Sequence, residues 1–396
     1  MFTPLKNLPE GKNWTLDELN DRQVQLLIPV ISFISIVMVV GAVGNALVLY
    51  VNIFVFKFGK STYRYFIILL AFTDISFCMI GDTFILGVLH RPYKFTNILA
   101  CKSLRAFCYF NALVSAMILS VIALDRYKRI CRPYGNQFSI RRIKIIVLII
   151  IVVSFIFSIP CFILYGRNTV QTGVANITGI QCFPDDVHKD TIFPIAYSMF
   201  LYTVFISLTI AMSIFYTLLW RHVNKHTHKM RTHALSYRTE PNVYTSTTMV
   251  TSTEIIQTLP SILDDSNNKT RPEILEDTNE VADPGSYRKE RSKGNKGKDN
   301  TEKVIQVSKM LFLVTTVFIL SYAPFLSLEL LTFFDEQIID NLDNTVTVVY
   351  QLFWRTFSIN FMVNPFIYGV MDRRFRMECK KLVLQRLRVQ DCTVHI

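Results

Sequence analysis

Residues 361–375, FMVNPFIYGVMDRRF, set an asparagine and a proline in the middle of an apolar run and place basic residues directly after it. Proline inside a helix removes a backbone hydrogen bond and clashes with the preceding turn, and asparagine gains nothing from hydrocarbon. Anchoring alone does not account for the pair. Pro365 frees a carbonyl one turn earlier, and Asn364 is placed to bond that loose backbone or a water, giving the helix a low-cost place to bend or rotate. Pro324, in LSYAPF, does the same for another apolar run. Two such prolines read either as a switch or as static kinks.

The surrounding chain is built for lipid. Of 396 residues, 51% are hydrophobic and only 18% charged, and the apolar residues gather in long blocks. About 20 apolar residues cross a bilayer as a helix. Seven such spans are expected: Val24–Phe56, Tyr65–Leu89, Ala106–Leu124, Ile145–Gly166, Ile192–Trp220, Met310–Leu328 and Val346–Met371. The net charge of +12 does not mark a nucleic-acid binder, because Lys and Arg lie between the apolar blocks and in one polar segment. The eight cysteines form neither a disulfide framework nor a metal-ligand spacing.

Basic residues orient the spans. Lys57, Lys60 and Arg64, then Arg126 to Lys144, then Arg373 to Lys381 mark cytoplasmic connections, whereas Asp335, Glu336, Asp340 and Asp343 mark an outer one. The plasma-membrane topology expected is an extracellular tail over 1–23, helices one to five over 24–220, and a cytoplasmic loop over 221–303. Helices six and seven then occupy 304–371, and an amphipathic helix with a cytoplasmic tail fills 372–396. The tail lacks a signal-peptide core, so the first span is expected to target itself. Sequons at Asn13 and Asn176 fall outside and are expected to be glycosylated, while that at Asn268 falls inside. The 221–303 loop is rich in Ser, Thr, Asn and Lys and has too little apolar content for a core of its own.

Ionisable and polar side chains within spans are costly and mark function. Asp74 lies mid-span, and Asn45, Ser115, Asn360 and Asn364 lie at similar depth in their own helices. The residues alone leave open whether these make interhelical hydrogen bonds or a small-cation site. Asp82 and Arg355 are expected to pair across the second and seventh helices, with a ligand carboxylate as the other partner open to Arg355.

ALDRYKRICRP at the inner end of the third span and NPFIY in the seventh resemble the rhodopsin-like G protein-coupled receptors. GNALVLY with Asn45, LAFTD with Asp74, Pro133, Tyr216, Pro324 and Phe375 extend the resemblance in order along the chain. It implies an all-α membrane protein, a seven-transmembrane helix bundle with a short amphipathic helix after the seventh span. It implies a non-enzymatic switch between an outer ligand and a heterotrimeric G protein, with receptor kinases and arrestin as further partners. Asp125, Arg126 and Tyr127 would form the coupling lock, with Tyr216 and Tyr368 swinging toward Arg126 and Pro133, Pro324, Asn364 and Pro365 completing the switch. Asp74, Ser115, Asn360 and Asn364 match a sodium pocket, the one allosteric cofactor implied. Cys101 and Cys182 match an outer disulfide, the other cysteines being free.

The departures shape the reading. Tyr322 stands where the family usually has Trp, and Val304 stands where an acid often pairs with the arginine, Glu302 being half a turn away. A weak resting lock and high basal signalling are therefore expected. Cys108 replaces the monoamine-binding Asp and Ser358 the opsin Lys, so neither an amine nor retinal is the expected ligand. Tyr109, Tyr322, Phe325, Glu329, Tyr350 and Trp354 sit at positions the family uses for ligands. With an acid at the mouth of the sixth span and an acidic outer rim, a neuropeptide bearing a basic group is expected, ahead of a lipid or a small neutral ligand.

Met371, Phe375, Cys379 and Leu382 recur at helical spacing among basic residues, as in a helix lying on the inner membrane lipids, where Cys379 is a candidate for palmitoylation. A membrane transporter, the competing class, would show internal repeats or paired broken helices in matching halves, and this sequence shows neither.

Overall fold

An uninterrupted apolar run satisfies its backbone only within itself, so in lipid it must be a helix. The computed structural model describes residues 2–6, 8–9, 11–56, 62–239, 284–334 and 342–393. Lys57, Lys60, Asp335, Glu336, Asp340 and the Asn268 sequon lie outside these residues, as do the side chains of Glu302 and Val304. Among the described residues six continuous helices are long and apolar enough to cross a membrane: Ile28–Val55, Thr62–His90, Ile98–Cys131, Ile140–Leu164, Ile192–Lys225 and Ile305–Thr332. The seventh crossing comes in pieces, Asn344–Phe353, a 3-10 turn Thr356–Ser358, and Ile359–Met371. Together they make the expected seven-helix bundle.

Ile36, Val43, Phe54 and Leu148 are each more than 60% exposed on the outside of the bundle. Water would not tolerate so continuous an apolar belt; lipid requires it. The chain divides into two units, one of Met1–Val223 with Lys303–Ile396 and one of Asn224–Glu302. What is described of the second is helical. Inside the first, one apolar core surrounds Leu119, Ile122, Phe318 and Tyr368, and another surrounds Leu19, Leu27, Tyr93 and Cys101.

Helix ends follow local chemistry. Asn97 accepts from Ala100 N at 3.0 Å and starts the third crossing eight residues before Ala106, so Arg105 belongs to the helix. The first crossing begins at Ile28 rather than Val24, because a separate helix, Leu16–Leu26, precedes it and Pro29 opens the next. Thr15 and Glu18 close a capping box on that outer helix, with Thr15 N donating to Glu18 at 3.0 Å. Asp372 ends the seventh crossing and caps the helix Arg373–Thr393, accepting from Arg374 N at 2.9 Å and Phe375 N at 3.1 Å. Phe375 is buried, while the basic residues beside it are exposed.

One end of the bundle holds what the apolar pattern does not announce. β1 (Tyr165–Gln171) pairs antiparallel with β2 (Thr178–Pro184), Arg167 standing opposite Cys182. The disulfide Cys101–Cys182 ties this hairpin to the third crossing, and Cys78, Cys108, Cys131, Cys161 and Cys379 are free. The amino-terminal stretch is folded against the hairpin. Leu5 N donates to Thr172 O at 3.1 Å, Phe2 N to Gln181 Oε1 at 3.0 Å, and Tyr93 Oη to Thr3 O at 2.8 Å.

Candidate ligand cavity and coupling site

Three tiers of polar chemistry run down the bundle. The first, nearest the hairpin, is a cavity of about 370 Å³, and Tyr109, Tyr322, Phe325, Glu329, Tyr350 and Trp354 all line it. Its aromatic walls interlock: Phe325 meets Trp354 edge-on at 5.4 Å, and Tyr322 packs on Phe318 at 4.7 Å. Tyr109 and Tyr165 share a hydroxyl hydrogen bond of 2.8 Å. Tyr202 Oη donates to Leu326 O at 2.9 Å and lies 3.3 Å from Glu329 Oε2, so the carboxylate is held from the fifth crossing.

Sequence reasoning missed Arg105, Tyr202 and Phe2 in this lining. Arg105 was excluded by its charge from the apolar run it continues. Tyr202 sits in an unbroken apolar stretch, and Phe2 in a polar tail, so neither carried a signal.

The expected Asp82–Arg355 pair does not form. Ser358 Oγ donates to Asp82 at 3.0 Å, and Arg355 donates to Gln351 O at 2.9 Å and to Gln351 Oε1. Two local departures from α-helix explain it. A π-helical stretch, Phe77–Asp82, resets the outer half of the second crossing, and the 3-10 turn brings Ser358 to Asp82. Ser358 is also the opsin-lysine position, so no amine stands there for a retinal Schiff base.

The middle tier centres on Asp74, which is fully buried. Asn364 Nδ2 donates to Asp74 Oδ2 at 2.6 Å, while Asp74 Oδ1 and Ser115 Oγ are buried without a protein partner. Asn360 is buried in the same helix as Asn364, its Nδ2 also unpartnered. Of the four predicted cation residues, then, the hydrogen bonding joins Asp74 and Asn364 and leaves Ser115 and Asn360 unbonded to them. Orphan carboxylate and hydroxyl oxygens are the donors a hard cation takes, so these residues fit a sodium ion.

Pro365 is served differently from the expectation. The carbonyl four residues before it, Phe361 O, accepts from Asn45 Nδ2 at 2.7 Å, and Asn364 is committed to Asp74 instead. At the other proline, Pro324, Thr356 Oγ1 donates to Ser321 O at 2.8 Å in the preceding turn.

The third tier lies toward the opposite end of the bundle from the hairpin. Arg126 and Asp125 form a buried ion pair, and Arg129 Nε joins the same carboxylate at 3.0 Å while its Nη2 donates to Thr62 Oγ1 at 2.7 Å. Tyr216 Oη accepts from Thr315 Oγ1 at 3.3 Å, and Tyr368 Oη is buried without a partner. Tyr127 packs against Phe215 at 5.7 Å, and Pro133 lies in the exposed loop that follows.

With this geometry in place, comparison with known proteins is decisive. The family model for the rhodopsin-family 7 transmembrane receptors matches residues 44–368. The chain belongs to that family. Its members are receptors rather than enzymes. The neuropeptide S receptor of Macaca mulatta is 28% identical over 186 residues, which is 45% of this chain and 45% of that protein. The human type-1 angiotensin II receptor is 29% identical over 200 residues, 48% of this chain and 53% of that protein. The chain thus spans about half the length of the curated relatives it matches. The squid rhodopsin crystal structure superposes with a TM-score of 0.61 at 18% identity, covering 97% of this chain and 91% of that one, a likeness of fold.

Proposed function

We propose that this rhodopsin-family receptor binds a peptide at its outer cavity and passes that event to a heterotrimeric G protein at its inner end. The observation that carries the reading is the gathering of Glu329 and the five predicted aromatic residues around one cavity under a disulfide-tied hairpin. An acid among aromatic walls suits a ligand with a basic group, and one of the similar proteins is named as the receptor of a neuropeptide.

In this reading the chain is a multi-pass plasma-membrane protein. The hairpin face and the amino terminus lie outside, where Asn13 and Asn176 are exposed for glycosylation and the disulfide persists. Arg126 leaves Asp125 on activation to meet the G protein, Tyr216 and Tyr368 moving toward it. Receptor kinases and arrestin act on the same inner face. The helix Arg373–Thr393 rests on lipid, with Cys379 as its palmitoylation site. Asp74 with Ser115, Asn360 and Asn364 would hold a sodium ion, whose positive charge neutralises the buried carboxylate and holds the second and seventh crossings together.

The test is nucleotide exchange on purified G proteins, with the receptor in nanodiscs and a peptide library as stimulus. Active basic peptides whose potency falls about 100-fold or more in Glu329→Lys support the reading; exchange stimulated only by neutral lipids, and unchanged in that variant, refutes it.

A further inference from the structure

The cavity carries more positive charge than its own chain neutralises. Arg105 and Arg355 both line it, and Glu329 is the acid within it, Lys189 and Asp190 standing at the exposed rim, where Lys189 pairs with Asp186. Among the described residues no ion pair joins Glu329 to either arginine; its hydrogen-bonding partner is Tyr202, at 3.3 Å. Asp82, the acid that sequence reasoning assigned to Arg355, is bonded to Ser358 and does not line the cavity.

Each guanidinium is held by neutral groups and left with donors to spare. Arg355, only 8% exposed, uses Nη1 for the carbonyl and side chain of Gln351, and among the described residues its Nε and Nη2 have no hydrogen-bond partner. Arg105 donates from Nη2 to Cys182 O at 3.3 Å, its Nε is buried without a partner, and its plane lies over Phe84 at 5.6 Å and Tyr165 at 5.3 Å. A buried cation such as Arg355 is costly without an ion-pair partner, and the half-buried Arg105 on the same cavity adds like-charge repulsion. A planar anion relieves both, because a carboxylate matches the guanidinium fork with two parallel hydrogen bonds.

We infer that the ligand of this receptor bears a carboxylate, received by Arg355 and Arg105 at the hairpin side of the cavity, while its basic group meets Glu329. For a peptide, the group that supplies such a carboxylate at a chain end is a free carboxyl terminus, so the ligand is a peptide acid rather than an amide. The assignment rests on the peptide reading above, and its test separates the two.

Cells expressing the full chain are challenged with one peptide library in two forms, free carboxyl-terminal acid and carboxyl-terminal amide, and with fatty acids beside their matched alcohols. G protein activation and surface expression are both measured. The expected result is activation by peptide acids with the matched amides about 10- to 100-fold weaker. That preference should collapse in Arg355→Gln and in Arg105→Gln and be partly kept in Arg355→Lys, with each variant at the cell surface. Should Arg355→Gln fail to reach the surface, Arg105→Gln carries the same test. Equal potency of acids and amides overturns the carboxylate assignment and leaves the peptide reading standing. Activation by fatty acids alone, lost in Arg355→Gln, overturns the peptide reading and upholds the carboxylate site. Silence of every set overturns both.

Discussion

Asn45 reaches from the first crossing to the seventh and donates to Phe361 O at 2.7 Å, the carbonyl that Pro365 leaves without a helical partner. The same amide also donates to Gly41 O at 2.9 Å, so one side chain stitches two helices at mid-depth. Replacing Asn45 by Ala removes the side chain that pairs that carbonyl. A loss of about 1–2 kcal/mol is expected, read as a lower unfolding temperature of the detergent-solubilised receptor. Gly44→Ala should act at the same seam, because an added Cβ would stand 2.8 Å from Pro365 Cγ. Unchanged unfolding temperatures for both variants would remove Asn45 and Gly44 as the supports of the kink.

Asp74 offers one oxygen to Asn364 and leaves the other without a partner. If a sodium ion satisfies it, replacing sodium chloride by choline chloride at constant ionic strength lowers the thermal stability of the wild-type receptor, since a ligand bound only by the native state stabilises it by mass action. Asp74→Asn keeps the shape but lacks the charge, and its stability should be indifferent to the exchange of salts. Equal sodium sensitivity in both proteins would place the ion elsewhere.

The lock at Asp125 is shared between Arg126 and Arg129. With the family's usual acid in the sixth crossing replaced by valine, Asp125 is the carboxylate that, among the described residues, pairs with Arg126, and measurable ligand-free exchange is expected. Asp125→Asn should raise it about fivefold for each kcal/mol of restraint removed, and Arg126→Ala should abolish it. A silent wild-type receptor that stays silent in Asp125→Asn would refute the weak lock.

How much of this was legible depended on whether the signal was carried by a run or by a side chain's direction. The crossings were legible because each apolar block is long enough to leave no other solution. Their ends were not, because charges such as Arg105 and Asp125 look like boundaries until a partner is seen: Arg105 over Phe84 and Tyr165, Asp125 with two arginines. Within the polar cluster the hydrogen bonds are not the ones expected, Asn45 and not Asn364 taking the loose carbonyl. Composition gives depth in the membrane but not rotation about the helix axis, and the π-helical stretch at Phe77–Asp82 alters that rotation for everything beyond it. The hairpin strand YGRNTVQ and the folded amino-terminal segment were hidden for the opposite reason, since their order comes from contacts between distant polar stretches rather than from any local pattern.

The hairpin and the helix Leu16–Leu26 have acid-sensitive anchors. Asp186 accepts from Thr169 N at 3.0 Å and Thr169 Oγ1 at 2.6 Å, and pairs with Lys189 at 3.3 Å. Burial pushes its carboxyl upward, but the hydrogen bonds from Thr169 and Lys189 outweigh it and leave the group below its ordinary 3.8. Glu18, bonded by Lys12 and by Thr15 in the capping box, is likewise held below its ordinary 4.5. Both groups are more acidic folded than unfolded, so what they contribute is fully present above those ordinary values and fades as pH falls through the lower folded ones. Hydrogen-exchange protection of β1 and of Leu16–Leu26 should therefore hold from neutral pH down to about 5 and weaken below about 4. Cys101–Cys182 keeps the hairpin tethered while its free end loosens. Asp186→Asn should already show reduced β1 protection at neutral pH and little further change on acidification. Protection that declines steadily between pH 7 and 5, or an Asp186→Asn variant matching the wild type throughout, would show that these carboxylates do not hold the hairpin and that helix.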